Sequence, residues 1–345
     1  MITVDEVTLE NANVWDEYVQ AHPRSTPYHL MAWGRAVQKA YGHQCIYLMA
    51  SEQDKVVGVL PLVKMGVPLL GSHFCSLPFC DLGGVLADSD AAQQELLEHA
   101  KGMMSATRIE TAQLRHSAGR QVEEPEPGAK VRMLLSLESS ADAQFKKFKS
   151  KLRSQVRKAE KNGISFFEGT TEEHRLEFYR VMQVNMHQLG SPVHSRKWFD
   201  SVLQEYGTQA RLGLVEFDGV VVGGAIILLC GSSVTVPWAS TLPAYNHLSP
   251  NMLLYWGLLS IAVDAGYSCF DFGRSTVGEG TFRFKKQWGA VAVPLEWQEF
   301  NQLGLQNIQS AEASSLRDKI AELWRRMPAF VVNLVGPTIR RYISL

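Results

Sequence analysis

The chain has few cysteines, and their placement excludes two common classes of protein. Five occur among its 345 residues, scattered through apolar runs without any Cys-x-x-Cys pair: Cys45, Cys75, Cys80, Cys230 and Cys269. A zinc site or a disulfide framework would require paired spacing and, in the second case, an even number. We therefore expect no bound metal and a reducing, cytoplasmic compartment.

Long apolar runs and an excess of charge are also missing. The longest apolar stretch, Val220 to Cys230, is far shorter than the roughly 20 residues that cross a bilayer. The amino-terminal residues include Asp5 and Glu6 but no apolar run of signal length, so secretion by that route is not expected. Because the formal net charge is only -1, tRNA or an anionic lipid would have to bind at a local patch.

The length of the chain predicts two domains, and a hidden repeat supports this prediction. A single hydrophobic core usually stops growing below this length. When Trp33 is aligned with Trp198, the register holds without a gap through Val56-Val57-Gly58 and its counterpart. Each copy has the pattern of a helix, a strand, a polar turn and a second strand. We expect Trp33 to Leu62 and Trp198 to Ile227 to form equivalent elements.

Strand and helix patterns follow each copy. A strand from Phe79 to Ala87 is predicted to lead into a helix from Ala91 to Ser105. A strand from Val234 to Ser240 should lead into a helix from Pro250 to Ala265, with Ser249 as its N-cap. Hairpins that alternate with helices predict an α/β (α+β) protein whose mixed sheets are flanked by helices.

The segment from Phe145 to Gly163 is the most basic part of the chain. Its apolar residues recur every three or four positions, which predicts one amphipathic helix with a buried stripe. The basic side chains form either the solvated face of a linking helix or an anion-binding surface; they are Lys146, Lys147, Lys149, Lys151, Arg153, Arg157, Lys158 and Lys161. A helical amphipathic tail, from Leu316 to Leu345, should either pack on the second domain or lie in a membrane interface.

Several strings over about the first 300 residues share a resemblance to one family. They are Tyr28-His-Leu-Met-Ala-Trp33, Val57-Gly-Val-Leu-Pro-Leu62, Arg153-Ser-Gln-Val-Arg-Lys-Ala-Glu-Lys161, Asn185-Met-His-Gln-Leu-Gly-Ser-Pro-Val-His194, Ser249-Pro-Asn-Met-Leu-Leu-Tyr-Trp256, Phe270-Asp-Phe-Gly-Arg-Ser275 and Phe282-Arg-Phe-Lys-Lys-Gln-Trp-Gly289. They resemble the FemAB-like proteins associated with exosortase and exopolysaccharide loci of Gram-negative bacteria. One departure is His187-Gln188, where the family more often has a basic and an acidic residue.

The resemblance implies two tandem GNAT-like domains that transfer an acyl or aminoacyl group to an amine. We expect a first domain at 1–140, a basic linking helix at 141–162, a second domain with the active site at 163–300 and a tail at 301–345. The acceptor would be a cell-envelope, peptidoglycan or exopolysaccharide precursor. The donor would be a co-substrate, either an acyl-CoA, an acyl carrier protein or an aminoacyl-tRNA, and we expect no tightly bound cofactor and no DNA.

Two other functions remain open from the sequence. One is a CoA-dependent N-acetyltransferase of a small metabolite, and the other is a non-catalytic duplicated scaffold. CoA enzymes use a Gln/Arg-x-x-Gly-x-Gly/Ala loop that opens a helix around the pyrophosphate. Here Arg274 to Gly280 is one residue too long, and no obvious helix follows it. This counts against ordinary acetyl-CoA dependence.

Lys285, Asp271 and Arg274 are the first candidates for the chemistry. Phe284-Lys285-x-x-Trp288-Gly289 resembles a string of FemAB-type transferases whose lysine lies in the active-site channel, where a cation can stabilise an oxyanion. The alternative is a surface lysine. Asp271, expected at the carboxyl end of a core strand, could accept the amine proton, and Arg274 could bind a phosphate or carboxylate. Alternatively, Asp271 and Arg274 form a buried pair that braces a turn.

The remaining candidates are assigned to a base and to substrate binding. His194 is the third catalytic candidate because its ordinary pKa lies near neutrality, and the alternative is a loop histidine that caps a helix. Asn251 could present its amide and a helix N-terminus to a phosphate. The other expected substrate-binding residues are Trp238, Tyr255, Arg153, Arg157 and Lys158. Trp238 has core packing as its alternative role.

Overall fold

The computed structural model describes residues 1–8, 11–67, 71–308 and 314–344, and for 67 and 314–317 it describes the backbone only. The strands are β1 (Ile2–Glu6), β2 (Gln44–Glu52), β3 (Lys55–Val67), β4 (Gly71–Cys75), β5 (Leu86–Ala87), β6 (Ala112–Ser117), β7 (Lys130–Ser136), β8 (Ser165–Glu168), β9 (Ala210–Phe217), β10 (Val220–Cys230), β11 (Ser233–Thr241), β12 (Cys269–Thr276), β13 (Val291–Asn301) and β14 (Gly304–Asn307). The predicted tail includes 309–313 and Leu345, which lie outside the described residues.

The α-helices alternate with the strands along most of the chain. They are α1 (Ala12–Ala21), α2 (Met31–Tyr41), α3 (Asp90–Thr107), α4 (Ala141–Lys147), α5 (Ser150–Lys161), α6 (Glu172–Leu189), α7 (Arg196–Tyr206), α8 (Pro250–Asp264), α9 (Gly280–Gln287), α10 (Ser314–Arg326) and α11 (Ala329–Arg340).

The chain forms two compact units. The first contains Met1–Arg120, Pro294–Ser310 and Arg341–Leu345, and the second contains Gln121–Val293 and Ala311–Arg340. These units differ from the predicted ranges 1–140, 141–162, 163–300 and 301–345, because chain order does not determine which sheet a strand joins. The basic segment at 141–162 belongs to the second unit and is not a separate linker.

Each unit has a mixed sheet, and the two sheets have the same topology. The order is β1-β2-β3-β4-β6-β13 in the first unit and β8-β9-β10-β11-β12-β7 in the second. In both sheets the fourth and fifth strands are parallel, and all the other neighbours on these paths are antiparallel. The sixth strand comes late in the chain in one unit, as β13, and early in the other, as β7.

This topology confirms the predicted duplication. Helix α2 begins at Met31 and ends at Tyr41, and α7 begins at Arg196 and ends at Tyr206, which is the offset that separates Trp33 from Trp198. Strands β2 and β3 then hold the same positions in the first sheet as β9 and β10 hold in the second. Trp33 and Trp198 are both fully buried.

Helices cover the sheet of the second unit and bury a continuous core. Helix α8 contacts β8 to β11 and also packs on α4 and α5, whereas α6 contacts β9, β10 and β11. The buried stripe of the basic segment is present, with Phe148, Leu152, Val156 and Ala159 in this core. However, the single helix predicted there is wrong. Extended backbone at Phe148 and Lys149 divides the segment into α4 and α5.

Two other local predictions need correction. A strand at Phe79 to Ala87 was expected, but only Leu86–Ala87 is a strand, and the main strand comes earlier as β4. Phe79 instead has a left-handed backbone, with φ 68°, which no regular strand accepts. Helix α8 begins at Pro250 as predicted. Ser249 has φ 65° and makes no side-chain capping bond, although its carbonyl accepts a bond from the Met252 N–H.

The first unit should lose stability in acid because of its buried histidines. Nδ1 of His29 accepts a bond from the Thr26 N–H, and its Nε2 lies 3.1 Å from the Gly84 carbonyl oxygen. Burial is the main cause that lowers the pKa of His29 from 6.5 to about 3, and burial likewise lowers the pKa of His116 to about 4. Between pH 6.5 and these lowered pKa values the unfolded chain binds more protons than the folded protein. The free energy of unfolding therefore decreases as the pH is lowered.

We expect the His29 contribution to this loss to reach roughly 3 kcal/mol by about pH 4. Denaturant unfolding of wild type and His29→Gln between neutral pH and about pH 4 measures it. The variant should show a shallower pH dependence whatever its stability at neutral pH. Equal slopes for the two proteins would contradict the assignment.

Candidate functional site

The parallel strands β11 and β12 separate within the sheet of the second unit. Their pairing runs only from Ser233 with Cys269 to Thr235 with Asp271. Beyond this point β11 continues along β10, and β12 continues along β7. The Thr235 hydroxyl is buried at the last paired position and has no hydrogen-bond partner in the described part of the chain. The divergence of the two strands therefore marks the candidate site.

A bulge in β12 lies directly after the divergence. The register with β7 shifts between Asp271 and Arg274, and Gly273 has φ 74°. This left-handed conformation is accessible to glycine without the steric cost that a Cβ imposes. A Cβ on Gly273 would also lie 3.2 Å from the Val236 carbonyl oxygen. The glycine therefore allows β12 to change course close to β11.

Lys285 reaches this bulge from helix α9. Its Nζ donates to the carbonyl oxygens of Gly273, at 3.1 Å, and of Arg274, at 2.7 Å, and the residue is only 8% exposed. Successive carbonyls of a regular strand point to opposite sides. The left-handed glycine lets two of them converge on one ammonium. Lys285 is thus a buried cation held by carbonyl dipoles, and it is not a surface lysine.

Aromatic packing fixes the helix that carries Lys285. The Tyr255 ring lies 5.1 Å from that of Phe284 and stacks on Phe272 at 5.5 Å. Trp288, directly after α9, is also buried and lies 5.3 Å from Phe148. Burial raises the pKa of the Tyr255 hydroxyl, which therefore stays protonated. These contacts place Tyr255 in the core beside α9.

Asp271 is buried and pairs with an arginine that the sequence did not point to. Arg132, on the neighbouring strand β7, donates to Oδ2 of Asp271 through Nε at 3.0 Å and Nη2 at 2.7 Å. Oδ1 accepts a bond from the Gly273 N–H at 2.9 Å. The buried pair that the sequence offered as an alternative role for Asp271 therefore includes Arg132. Asp271 is the third residue of β12 and does not lie at its carboxyl end.

The structure brings three predicted residues to the bulge: Lys285, Asp271 and Arg274. Arg274 is half-buried, and its backbone carbonyl is one of the acceptors for Lys285. Arg132 was missed in the sequence because it is 139 residues away from Asp271. The sequence hint for Arg132 is the alternation of β7, which places this charged side chain between Val131 and Met133, both of which are buried.

His194 and Trp238 lie in a separate aromatic cluster. The His194 ring stacks on Trp198 at 5.5 Å, and Trp238 lies 6.4 Å from His194 and 5.1 Å from Phe199. Burial, with a smaller contribution from Arg340, lowers the pKa of His194 well below its ordinary value. The imidazole is therefore neutral in the folded protein. This setting favours packing over proton transfer.

The other predicted binding residues are spread over α5 and α8. Asn251 is half-buried in the first turn of α8. On α5, Arg153 is half-buried, whereas Arg157 and Lys158 are exposed, and the Arg157 guanidinium lies 5.4 Å from the Phe145 ring. No described contact joins these residues to the bulge at Gly273.

The expectation that no helix follows Arg274 to Gly280 is wrong. Helix α9 begins at Gly280, two residues after Gly278, which has φ 90°. The apolar residues Phe282 and Phe284 are two apart, a spacing typical of a strand, which hides this helix in the sequence. The glycine-containing loop therefore does open a helix, and the argument against CoA as donor is weaker than the sequence indicated.

A cavity of about 620 Å³ lies elsewhere in the second unit. Its lining comes from α5, α8, the edge strand β8 and the neighbouring strands β9 and β10, and includes Glu160, Phe166, Glu168, Arg211 and Trp256. None of the predicted site residues lines it. Among the described residues no group of three or more His, Cys, Asp or Glu side chains is arranged to hold a metal ion.

The equivalent region of the first unit is closed by the chain itself. Strands β4 and β6 pair only at Phe74 with Ala112 and Cys75 with Gln113. The loop that follows β4 then returns to β6, where the N–H groups of Gly83 and Gly84 donate to the Arg115 carbonyl oxygen. The buried Arg115 side chain holds this loop through the carbonyl oxygens of Leu77 and Cys80.

The Asp271 and Arg132 pair should contribute strongly to the stability of the second unit. We expect Arg132→Met to lower the free energy of unfolding by about 3 to 5 kcal/mol, because it leaves a buried carboxylate without its cation. Arg211→Met is the matched control, since the pair of Arg211 with Glu168 is 3.8 Å long and half-exposed, and it should cost at most about 1 kcal/mol. Denaturant unfolding measures both, and equal losses would contradict the structural role.

Comparisons with known proteins agree with this geometry. Residues 146–286 match the family described as an acetyltransferase (GNAT) domain. No curated protein sequence matches the chain. Among solved structures, FemX has a TM-score of 0.67 at 16% identity, over 85% of this chain and 94% of its own.

Two further solved structures share the fold. A tandem GNAT protein from the clavulanic acid biosynthesis pathway has a TM-score of 0.53 at 10% identity, over 90% of this chain and 100% of its own. The C-terminal domain of a putative lysylphosphatidylglycerol synthetase from Agrobacterium fabrum has a TM-score of 0.54 at 11% identity, over 83% and 90%. Residues 146–286 are therefore similar to an acetyltransferase (GNAT) domain, and the chain with its paired mixed sheets shares the fold of these solved structures.

Proposed function

We propose that the second unit transfers an acyl or aminoacyl group to an amine of a cell-envelope or exopolysaccharide precursor. The observation that carries this proposal is the Lys285 ammonium, which is buried at the point where β11 and β12 diverge. The names of FemX and of the lysylphosphatidylglycerol synthetase support aminoacyl transfer in the envelope. All five cysteines are free thiols, which supports a reducing compartment such as the cytoplasm.

The chemistry proposed for this site is direct aminolysis. The amine nitrogen bonds to the carbonyl carbon of an ester or thioester, and the carbonyl oxygen becomes an oxyanion. The carbon–oxygen or carbon–sulfur bond then breaks, and the leaving alcohol or thiol takes up the proton that the amine loses. A fixed cation next to the oxyanion stabilises the transition state without reorganisation. Lys285 supplies this cation, and no covalent nucleophile is needed.

The neighbouring residues take supporting roles in this proposal. Asp271 positions the bulge, because one of its oxygens holds Arg132 and the other holds the Gly273 N–H. Arg274 and Asn251 bind anionic or carbonyl groups of the substrates, whereas Tyr255 supports α9 from the core and Trp238 packs in the cluster around His194. His194 is the remaining candidate base, although its lowered pKa makes it a weak one.

A second candidate function is N-acetylation of a small metabolite with acetyl-CoA as donor. The observation in its favour is the loop with Gly278 and Gly280 that opens α9, because a helix N-terminus after glycines suits a pyrophosphate. A non-catalytic scaffold is the third possibility, and it predicts no turnover with any donor. The identity of the donor therefore separates the three functions.

A donor screen tests the proposed function. The purified full chain is incubated with acyl-CoAs, acyl carrier proteins carrying acyl groups and aminoacyl-tRNAs, each with amine acceptors of envelope and metabolite type. Product is detected by mass spectrometry. Transfer from an aminoacyl-tRNA or an acyl carrier protein to an envelope acceptor supports the proposal. Transfer only from acetyl-CoA to a metabolite supports the second candidate, and no transfer supports the scaffold.

Lys285→Met should lower kcat by roughly a hundredfold or more, because it keeps the bulk of the side chain and removes the charge. Lys286→Met is the matched control, since Lys286 is exposed on the same helix. Steady-state kinetics with the donor found in the screen measures both variants, and thermal unfolding checks that they are folded. Near-normal turnover of Lys285→Met would remove Lys285 from the mechanism.

The basic residues of α5 are proposed to dock a large anionic donor or a lipid-linked phosphate. Each phosphate that a protein cation neutralises releases counterions, so the affinity falls steeply with salt. Changing Arg153, Arg157 and Lys158 together to Gln should weaken tRNA binding and reduce the salt slope by up to about 3. The control changes Lys130, Arg175 and Lys197 to Gln, which removes the same charge elsewhere in the second unit. If tRNA binding by the two triple variants depended identically on salt, α5 would be a solvated helix without a docking role.

A further inference from the structure

Helices α10 and α11 bury some of their large apolar side chains against the second unit and expose others to solvent. They pack on the second unit through Trp324 and Val332, which are buried, and through Gly336, where an added Cβ would lie 3.4 Å from the Val193 nitrogen. Helix α10 also lies close to Gly190 at the end of α6, since a Cβ there would be 2.4 Å from the Ala321 carbonyl oxygen. These contacts fix the orientation of both helices.

Other large apolar side chains of the two helices are exposed to solvent, and this exposed group is here called the outer face. Leu323 is 63% exposed, Phe330 75% and Leu334 77%. Phe330 and Leu334 are four residues apart and therefore lie on one side of α11. Ile320, three residues before Leu323, adds another exposed side chain on α10. Single exposed leucines are common, but a group of this size marks an interaction surface.

The charges around the outer face have mainly one sign. Between Ser314 and Arg340 the sequence has five basic residues and two acidic ones, Asp318 and Glu322. Lys319 and Arg325 are exposed on α10, and Arg326 is exposed beside them in an ion pair with Glu322. An apolar face bordered by cations is complementary to the interface of a bilayer that contains anionic lipids.

The helices are suited to lie on a bilayer and not to cross it. No described helix is long and apolar enough to span a membrane. A helix the length of α11 reaches about 18 Å, against the roughly 30 Å of a hydrocarbon core.

We propose that the outer face of α10 and α11 docks the protein on an anionic lipid bilayer, with Leu323, Phe330 and Leu334 inserted and with Lys319 and Arg325 at the headgroups. This inference does not depend on the proposed reaction, because the surface contains none of the residues assigned to it. It would bring the enzyme to the interface where lipid-linked acceptors lie.

Co-sedimentation of the full chain with vesicles tests the proposal. The vesicles contain equal parts of phosphatidylglycerol and phosphatidylcholine, or phosphatidylcholine alone, without donor or acceptor. We expect the wild type to bind the anionic vesicles more tightly. Changing Leu323, Phe330 and Leu334 together to Gln should weaken this binding at least tenfold and leave the melting temperature unchanged, because these side chains are exposed. Leu303→Gln is the matched control, since Leu303 is 89% exposed in the first unit, and it should bind normally.

Two further variants separate insertion from adsorption and from catalysis. Phe330→Trp should show quenched fluorescence, relative to the wild type, with brominated lipids that report depth. Changing Lys319 and Arg325 to Gln should remove the preference for anionic vesicles. Lys285→Met should bind vesicles like the wild type, so loss of activity and loss of docking are distinguishable. The proposal would be overturned if the wild type did not bind vesicles or if the triple variant bound them equally well. It would also be overturned if the wild type self-associated without binding vesicles and the triple variant abolished this self-association.

Discussion

Gly273 interrupts β12 with a left-handed backbone, and two charged groups depend on this interruption. Its carbonyl and that of Arg274 converge on the Lys285 ammonium, and its N–H is bound by the Asp271 carboxylate. A buried lysine loses hydration, and two aligned carbonyl dipoles offset part of that loss. In a regular strand the same two carbonyls would point to opposite sides, and the ammonium could not donate hydrogen bonds to both of them. The candidate site therefore rests on one backbone conformation that only glycine adopts without strain.

The duplicated units show how one sheet topology can give either a site or a closed structure. In both, two parallel strands pair briefly and are followed by a connection to a helix. In the first unit the connection after β4 folds back on β6, and Gly83 has φ 147° with no room for a Cβ beside Leu77. In the second unit the chain leaves β11 through a short 3₁₀ helix at 243–248 and enters α8. The two units thus differ in one connection, which is the reason that the proposed chemistry is placed in the second unit.

The sequence predicted what depends on local spacing. The offset between the copies located α7 and the hairpin after it, and Ser249-Pro250 located the start of α8. It could not show that β7 and β13 complete sheets out of chain order, because the strand pattern contains no information about the partner. For the same reason Arg132 was missed as the partner of Asp271.

The break between α4 and α5 was hidden because Phe148 is buried in the core and keeps the apolar spacing through the break. At α9 the two-residue apolar spacing of Phe282 and Phe284 is typical of a strand, but the segment forms a helix. Tertiary packing overrides the local pattern, since both side chains contact the core that includes α8.

The charge balance of the bulge bears on how an amine could react there without a dedicated base. Lys285, Arg132 and Arg274 are cations of this region, and Asp271 is already bound by Arg132 and by the Gly273 N–H. Its carboxylate is therefore committed to holding β12 against β7. An amine that enters such a site meets more positive than negative charge, and like charges lower the pKa of an ammonium group. The site would then favour the neutral, nucleophilic form of the acceptor while it stabilises the oxyanion. In the proposed reaction the same excess of positive charge thus serves both the attacking amine and the developing oxyanion, and the proton would leave with the alcohol or thiol without passing through His194.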